Sequence, residues 1–129
     1  MLRVGVDLIE VERIERVRAR YGERFFTRFF TPAEREQCKD LPTRLAARIA
    51  AKEAVAKALG TGIGDVRWID IEVRLDARGA PSLCLHAAAS VLAQELGLNE
   101  WQISLSHTQD HAIAFVVAMG DGAVPDPAE

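Results

Sequence analysis

The stretch Arg48-Ile49-Ala50-Ala51-Lys52-Glu53-Ala54-Val55-Ala56-Lys57-Ala58 decides how this chain folds. It is rich in Ala, holds no Gly or Pro, and is followed by Gly60 as a stop signal, so it reads as helix. Wound at about 100° per residue, Leu45, Ile49, Ala56 and Leu59 form one apolar stripe. Ala47, Ala51, Ala54 and Ala58 form a second stripe of small side chains, roughly opposite. A helix apolar on two sides is buried on two sides, and the small stripe lets another backbone approach closely. Three charges interrupt it. Lys52 points into the Leu45/Ile49 stripe, while Glu53 and Lys57 are four apart and share a face. One reading is an i,i+4 ion pair beside a Lys52 that reaches solvent along its apolar stem. The other is charge held inside for chemistry, since buried charge is costly unless paired or bound to a metal.

Upstream, Leu2 to Ile9 reads as a strand with Val4, Val6 and Leu8 on one face and Arg3, Gly5 and Asp7 on the other. Asp is disfavoured inside strands, so Asp7 asks for a reason. An early strand end is one: Asp7 and Glu10 would then sit near a helix start, where acidic groups suit the dipole. Glu10 to about Tyr21 follows as an amphipathic helix, with Val11, Ile14, Val17 or Arg18, and Tyr21 on its buried side. Arg13, Arg16 and Arg20 share another side, and Arg24 and Arg28 follow Gly22. This basic stripe is either a solvated face balanced by Glu12 and Glu15 or a dock for an acidic partner. Phe25, Phe26, Phe29 and Phe30 read as core or interface aromatics. Thr31-Pro32-Ala33-Glu34 is a helix start, with Thr31 as N-cap and Pro32 in first position, and that helix runs to about Leu41. The central helix begins near Thr43.

Downstream, Trp68 to Leu75 and Ser82 to Leu85 form a hairpin around the turn Asp76–Pro81. Ala87 to Leu96 is a short helix ended by Gly97. Gln102 to His107 and His111 to Met119 make a second hairpin, whose last strand has Ile113, Phe115, Val117 and Met119 on one face and small residues on the other. The expected fold is α+β: a mainly antiparallel sheet packed around a buried central helix.

The chain has 129 residues, 49% of them hydrophobic, which predicts one domain over 1–119 with a disordered tail over 120–129. A net charge of −3 offers nucleic acid no bulk attraction. No apolar run reaches the roughly 18 residues that a membrane span needs. Met1-Leu2-Arg3 leads straight into the first strand, so no signal peptide is expected. Cys38 and Cys84 build no disulfide framework and match no zinc spacing, and a reduced, cytoplasmic setting is expected.

Several tempting sites fail on physical grounds. Gly60–Gly64 follows a helix, whose C-terminal partial charge repels phosphate, so it is a cap and turn, not a phosphate loop. Ser106 and His107 are adjacent on a strand and face opposite ways, which excludes a nucleophilic triad. His107, His111 and Cys84 lack recognised zinc-ligand spacing. Asp7 and Glu53 remain. Two carboxylates far apart in sequence can meet in space and share Mg²⁺ with a substrate phosphate, with Lys57 facing the same phosphate.

Three motifs in order resemble those of the holo-[acyl-carrier-protein] synthase family, the small single-domain 4′-phosphopantetheinyl transferases. Val4-Gly5-Val6-Asp7-Leu8-Ile9-Glu10 is similar to its first motif, G-[IV]-D-[ILV]-x-E. Arg48 to Ala58 with Gly60-Thr61-Gly62 resembles the second, R-[FW]-x-x-K-E-A-x-x-K-A followed by G-T-G. Ile103 to Thr108 resembles the closing S-[IL]-[ST]-H-[TS] strand, and Thr31 to Glu34 a family T-x-x-E. The match runs from about residue 2 to 119. Ile49 stands where the family has Phe or Trp, and Ala80 where it often has a Lys that could hold a coenzyme A phosphate.

The resemblance implies transfer of 4′-phosphopantetheine from coenzyme A to a serine of apo acyl carrier protein, leaving adenosine 3′,5′-bisphosphate. It implies Asp7 and Glu53 as ligands of Mg²⁺, with Mn²⁺ able to substitute. Lys57 would hold a phosphate oxygen or move a proton, Glu10 would orient a metal-bound water, and Arg48 and His107 would contact coenzyme A phosphates. Lys52 would be mostly structural. Arg13, Arg16, Arg20, Arg24 and Arg28 would meet the acidic carrier protein. Family members form homotrimers with sites between subunits. Ala112, Ala114, Val116 and Ala118 offer a small apolar face for that contact. A metal-dependent pyrophosphate hydrolase and a non-catalytic coenzyme A or carrier-protein binding subunit are the alternatives. The first gives the Arg stripe no role, and the second predicts binding without Mg²⁺-dependent turnover.

Overall fold

The structure, a computed structural model, describes residues 1–121. Strand β1 (Leu2–Glu10) leads into helices α1 (Val11–Tyr21), α2 (Glu23–Phe29) and α3 (Pro32–Cys38), then the 18-residue helix α4 (Pro42–Leu59). A 3-10 turn (Trp68–Asp70) precedes the hairpin β2 (Ile71–Leu75) and β3 (Pro81–Leu85). Helix α5 (Ala87–Glu95) and the hairpin β4 (Glu100–His107) and β5 (His111–Met119) follow. Among the described residues the strands pair antiparallel, in two sheets ordered β1-β5-β4 and β2-β3, so the expected α+β class holds.

Helix α4 is the centre. Nearly every residue from Leu45 to Leu59 is buried, with Glu53 half-buried and Lys57 exposed. Its small stripe lies on β1, where a Cβ placed on Gly5 would overlap the Ala54 carbonyl oxygen. Only glycine permits that approach, which explains the pairing of small residues on both sides. Gly60 closes the helix in the left-handed conformation with φ 78°, as its place after the helix predicts. Pro42 is not the stop of the preceding helix but the first residue of α4, a position where its missing N–H costs nothing.

The inner face of the large sheet carries Ala112, Ala114, Val116 and Ala118, all fully buried within the chain. This corrects the expectation that they face a neighbouring copy: the bulk of α4 leaves room only for small side chains, so they form the seat for the helix. The open face is the other one. Leu2, Val4, Val6 and Leu8 of β1 and Ile113, Phe115 and Met119 of β5 are each at least 38% exposed.

Lys52 does not reach solvent. It is fully buried, and its Nζ donates to Glu34 Oε1 (2.7 Å), Ile71 O (2.7 Å) and Trp68 O (3.0 Å), which uses all three ammonium protons. Burial pushes the lysine below its ordinary range, and the Glu34 charge pulls it back part of the way. Glu34 also accepts from Thr31 N and Val73 N, so this pair ties α3, α4 and β2 together. Thr31 is the N-cap of α3 as predicted, and Glu34 completes a capping box with it. The helix ends at Cys38, earlier than Leu41, because Lys39 and Asp40 take positive φ.

Helix α2 has no counterpart in the sequence reading. It buries Phe25 and Phe26, and Phe29 meets Trp68 with ring centroids 4.7 Å apart. Tyr21, expected inside, is exposed at the end of α1, with the Arg20 and Arg24 guanidinium groups over its ring. Gly120, expected in the tail, donates from its backbone to Met1 O. The rest of that expectation, residues 122–129, lies outside the described residues.

Candidate active site

Asp7 is not at a strand end. β1 runs three residues further, and Asp7 sits on its inner face opposite Ala114. Its side chain is 18% exposed. Lys57 Nζ donates to Asp7 Oδ1 (3.1 Å) and to Val6 O (2.9 Å). Lys57 therefore bonds across to β1 rather than to Glu53 one turn below, which corrects the i,i+4 pair. Its side chain stays 54% exposed, with donor capacity to spare.

Glu53 faces the same cleft as Asp7, a hollow of about 280 Å³ whose walls include Val17, Phe29, Ile49 and Trp68. Among the described residues its carboxylate has no hydrogen bond or ion pair. Burial and then the Asp7 charge raise its pKa, while Lys57 and Arg13 oppose the rise. Two carboxylates thus share one cleft and repel, with one of them unpartnered. That is the donor chemistry a hard divalent cation satisfies, and the pair fits Mg²⁺, which keeps waters and substrate phosphates as its other ligands. Ile49, where the family pattern has an aromatic residue, simply forms part of the wall.

Arg13 also borders this cleft. A second hollow of about 400 Å³ shares Val17, Phe25, Phe29 and Trp68 with it and adds Tyr21, Arg24 and Arg28. Arg16 and Arg20 are exposed on α1 and line neither hollow. The arginines of the sequence stripe thus divide into three at the hollows and two beyond. Trp68, which the sequence reading used only as a strand start, walls both hollows.

Three predicted residues are not brought to the cleft. Glu10 is three positions from Asp7, and a continuous strand puts such residues on opposite faces. It lines another hollow with Asp110 and His111 rather than the Asp7–Glu53 cleft. Arg48 is 3% exposed, and its guanidinium donates to Glu34 O (3.3 Å) and Gln37 Oε1 (2.9 Å). It is turned inward toward α3, away from the Asp7–Glu53 cleft. His107 is exposed at the end of β4, two strands across from β1. Ser106 pairs with Ile113 on the outer face, away from the His107 side, as alternation predicts.

The family model for the 4′-phosphopantetheinyl transferase superfamily matches residues 3–116. The holo-[acyl-carrier-protein] synthase of Herpetosiphon aurantiacus is 52% identical over 127 residues, covering 93% of this chain and 100% of that one. The same enzyme from Solidesulfovibrio magneticus is 46% identical over 119 residues, covering 91% and 97%. Among solved structures, the Helicobacter pylori holo-[acyl-carrier-protein] synthase in complex with coenzyme A has a TM-score of 0.83 at 32% identity, covering 90% of this chain and 99% of that one. The Neisseria meningitidis enzyme has 0.82 at 37%, covering 91% and 97%. The chain belongs to the 4′-phosphopantetheinyl transferase superfamily, within the holo-[acyl-carrier-protein] synthase family.

Proposed function

We propose that this chain transfers 4′-phosphopantetheine from coenzyme A to a serine hydroxyl of an apo acyl carrier protein and releases adenosine 3′,5′-bisphosphate. The observation that carries the reading is the Asp7–Glu53 pair with Lys57 beside it, in a chain of this family. Asp7 and Glu53 would hold Mg²⁺, or Mn²⁺ in its place, which when bound neutralises charge on the pyrophosphate. Lys57, anchored on Val6 O and Asp7, turns its remaining N–H toward a phosphate oxygen. Arg13 tempers the negative field of the cleft so that an anionic substrate can enter. The apolar walls exclude water from the phosphate that must react with a serine. Mass spectrometry of an apo carrier protein incubated with this protein, coenzyme A and Mg²⁺ tests the reading. Gain of one phosphopantetheine group is expected, whereas hydrolysed coenzyme A with unmodified carrier would favour the hydrolase.

The basic stripe fits the acidic carrier. Because Arg13 borders the cleft, the clean test reverses Arg16 and Arg20, which do not. Arg16→Glu with Arg20→Glu should weaken carrier binding by about tenfold or more at low salt and leave coenzyme A affinity unchanged. Normal carrier binding by that variant would make the two arginines a solvated face.

A cleft of about 280 Å³ is small beside the roughly 300–1,000 Å³ of ordinary ligand pockets, and coenzyme A is a large ligand. The open apolar face of β1 and β5 supports a closed homotrimer that supplies the missing walls. His107, exposed at the edge of that sheet, is the contact we place toward a neighbour's site. Light scattering should give three times the chain mass, and Val6→Asp with Phe115→Glu should give monomers with little activity. A wild-type monomer at working concentration would sink the shared site.

A further inference from the structure

We propose that the β2–β3 hairpin carries a separate, softer cation site, built from Glu72, Cys84 and His86, that takes a divalent transition metal such as Zn²⁺. It does not rest on the proposed transfer activity. Glu72 and Cys84 are direct partners across the hairpin, so their side chains share a face. His86 lies two residues beyond Cys84, which puts it on that face as well. Its backbone N–H donates to Asp70 O (2.7 Å), which fixes the ring's origin. One potential ligand atom from each of the three lies within 4.8 Å of the others. His86 Nε2 and Glu72 Oε1 are 3.2 Å apart. Two ligands of one tetrahedral zinc stand about 3.3–3.6 Å apart, so this pair at 3.2 Å needs only a slight opening. The half-buried Cys84 offers its Sγ within 4.8 Å of both, and a small shift of its side chain would complete the third edge.

The surroundings suit a metal more than a bare ion pair. Glu72 is 5% exposed and held in place: Thr31 Oγ1 donates to its Oε2 (2.6 Å), and Arg74 Nε, on the same face of the strand, to its Oε1 (2.8 Å). Outer partners of this kind orient a ligating carboxylate. Burial pushes the Glu72 pKa up, but hydrogen bonds from Thr31, His86 and Arg74 outweigh it and keep the carboxylate below its usual range. The His86 side chain is 42% exposed, which leaves an entry path and a solvent ligand in the fourth position. On binding, the ion would take the place of the proton between His86 Nε2 and Glu72, a neutral ring keeping its proton on Nδ1 and a charged ring releasing one to solvent, and the thiol proton would also leave to solvent. A thiolate and an imidazole select zinc-like ions over Mg²⁺, so this site and the Asp7–Glu53 cleft sort metals by softness.

The test is titration of reduced, metal-stripped protein with Co²⁺ in excess Mg²⁺. One equivalent should produce the intense near-ultraviolet band of a cobalt–thiolate bond, and Zn²⁺ should abolish it. Cys84→Ser should remove the band. His86→Ala should weaken Co²⁺ binding at least about tenfold. Cys38→Ser should change nothing, because Cys38 is fully buried with its thiol pushed up to about 11. Absence of the band in the wild type, its survival in Cys84→Ser, or unchanged affinity in His86→Ala would each overturn the site. His86 is part-exposed and Cys84→Ser is conservative, so matching denaturation midpoints without metal confirm that the variants are folded.

Discussion

Glu53→Gln should lower phosphopantetheine transfer by about a thousandfold or more, since a divalent ion on a transferring phosphate supplies several kcal/mol. The same variant should be at least as stable as the wild type when no metal is present. The folded-state pKa of Glu53 lies above its ordinary value because burial and Asp7 disfavour the charge. The folded chain therefore binds the proton more tightly than the unfolded one. Stability falls as pH rises from the ordinary carboxylate range through the raised pKa, and the ionised Glu53 lowers stability at neutral pH. A neutral amide removes that penalty together with the metal ligand. Mg²⁺ should raise the melting temperature of the wild type and leave that of Glu53→Gln where it was. Asp7→Ala should lose activity to a similar degree, but without the gain in stability, because Asp7 also anchors Lys57. Full activity of either variant in excess chelator would sink the metal assignment.

Lys52→Met should destabilise the fold by about 3–5 kcal/mol, the usual result of removing one member of a buried ion pair. The loss is threefold: the Glu34 carboxylate keeps its charge inside, and Trp68 O and Ile71 O lose their donor. Urea denaturation read by far-UV circular dichroism measures it. Lys52→Arg should not restore stability, because a planar guanidinium cannot direct donors to three oxygens grouped around one ammonium. Under conditions where the variant is still folded, its transfer rate should stay near that of the wild type. A Lys52→Met protein with wild-type stability and no activity would move Lys52 into the catalytic machinery. The contrast with Lys57 is physical. The two lysines are five residues apart on one helix, yet one is fully buried with its charge spent and the other is half exposed with donor capacity to spare.

Much of the site could be read along the chain because it lies on regular elements. Alternation along the first strand puts Asp7 with Gly5, and 3.6-residue periodicity separates Glu53 from the buried stripe. Those two periods single out both carboxylates, and the family resemblance pairs them across 46 positions. The errors fall where a period alone is ambiguous. The resemblance alone puts Glu10 beside Asp7, and a strand that continues through Glu10 turns its side chain to the opposite face. Arg48 belongs to a recognisable motif, but its inward turn depends on Gln37 and the Glu34 carbonyl, which no local signal announces. Helix α2 follows Gly22, and its paired phenylalanines fit core packing in any secondary structure.

By itself the sequence determined most of the elements, the central helix and the two candidate carboxylates, because periodicity, caps and small-residue stripes act over short stretches of chain. Which face of the large sheet is covered was a tertiary decision. Both faces of β5 are apolar, and the small one went to α4 because a helix seated against Gly5 leaves no room for Phe115 or Ile113 beneath it. The same packing chose the partners of the charges. Lys52 and Lys57 are both four-carbon ammonium groups within one helix, and only the position of α3 and β2 on one side and β1 on the other sent the first to Glu34 and the second to Asp7. The meeting of Glu72, Cys84 and His86 has the same origin, since the strand register that joins them is set by the pairing of β2 with β3.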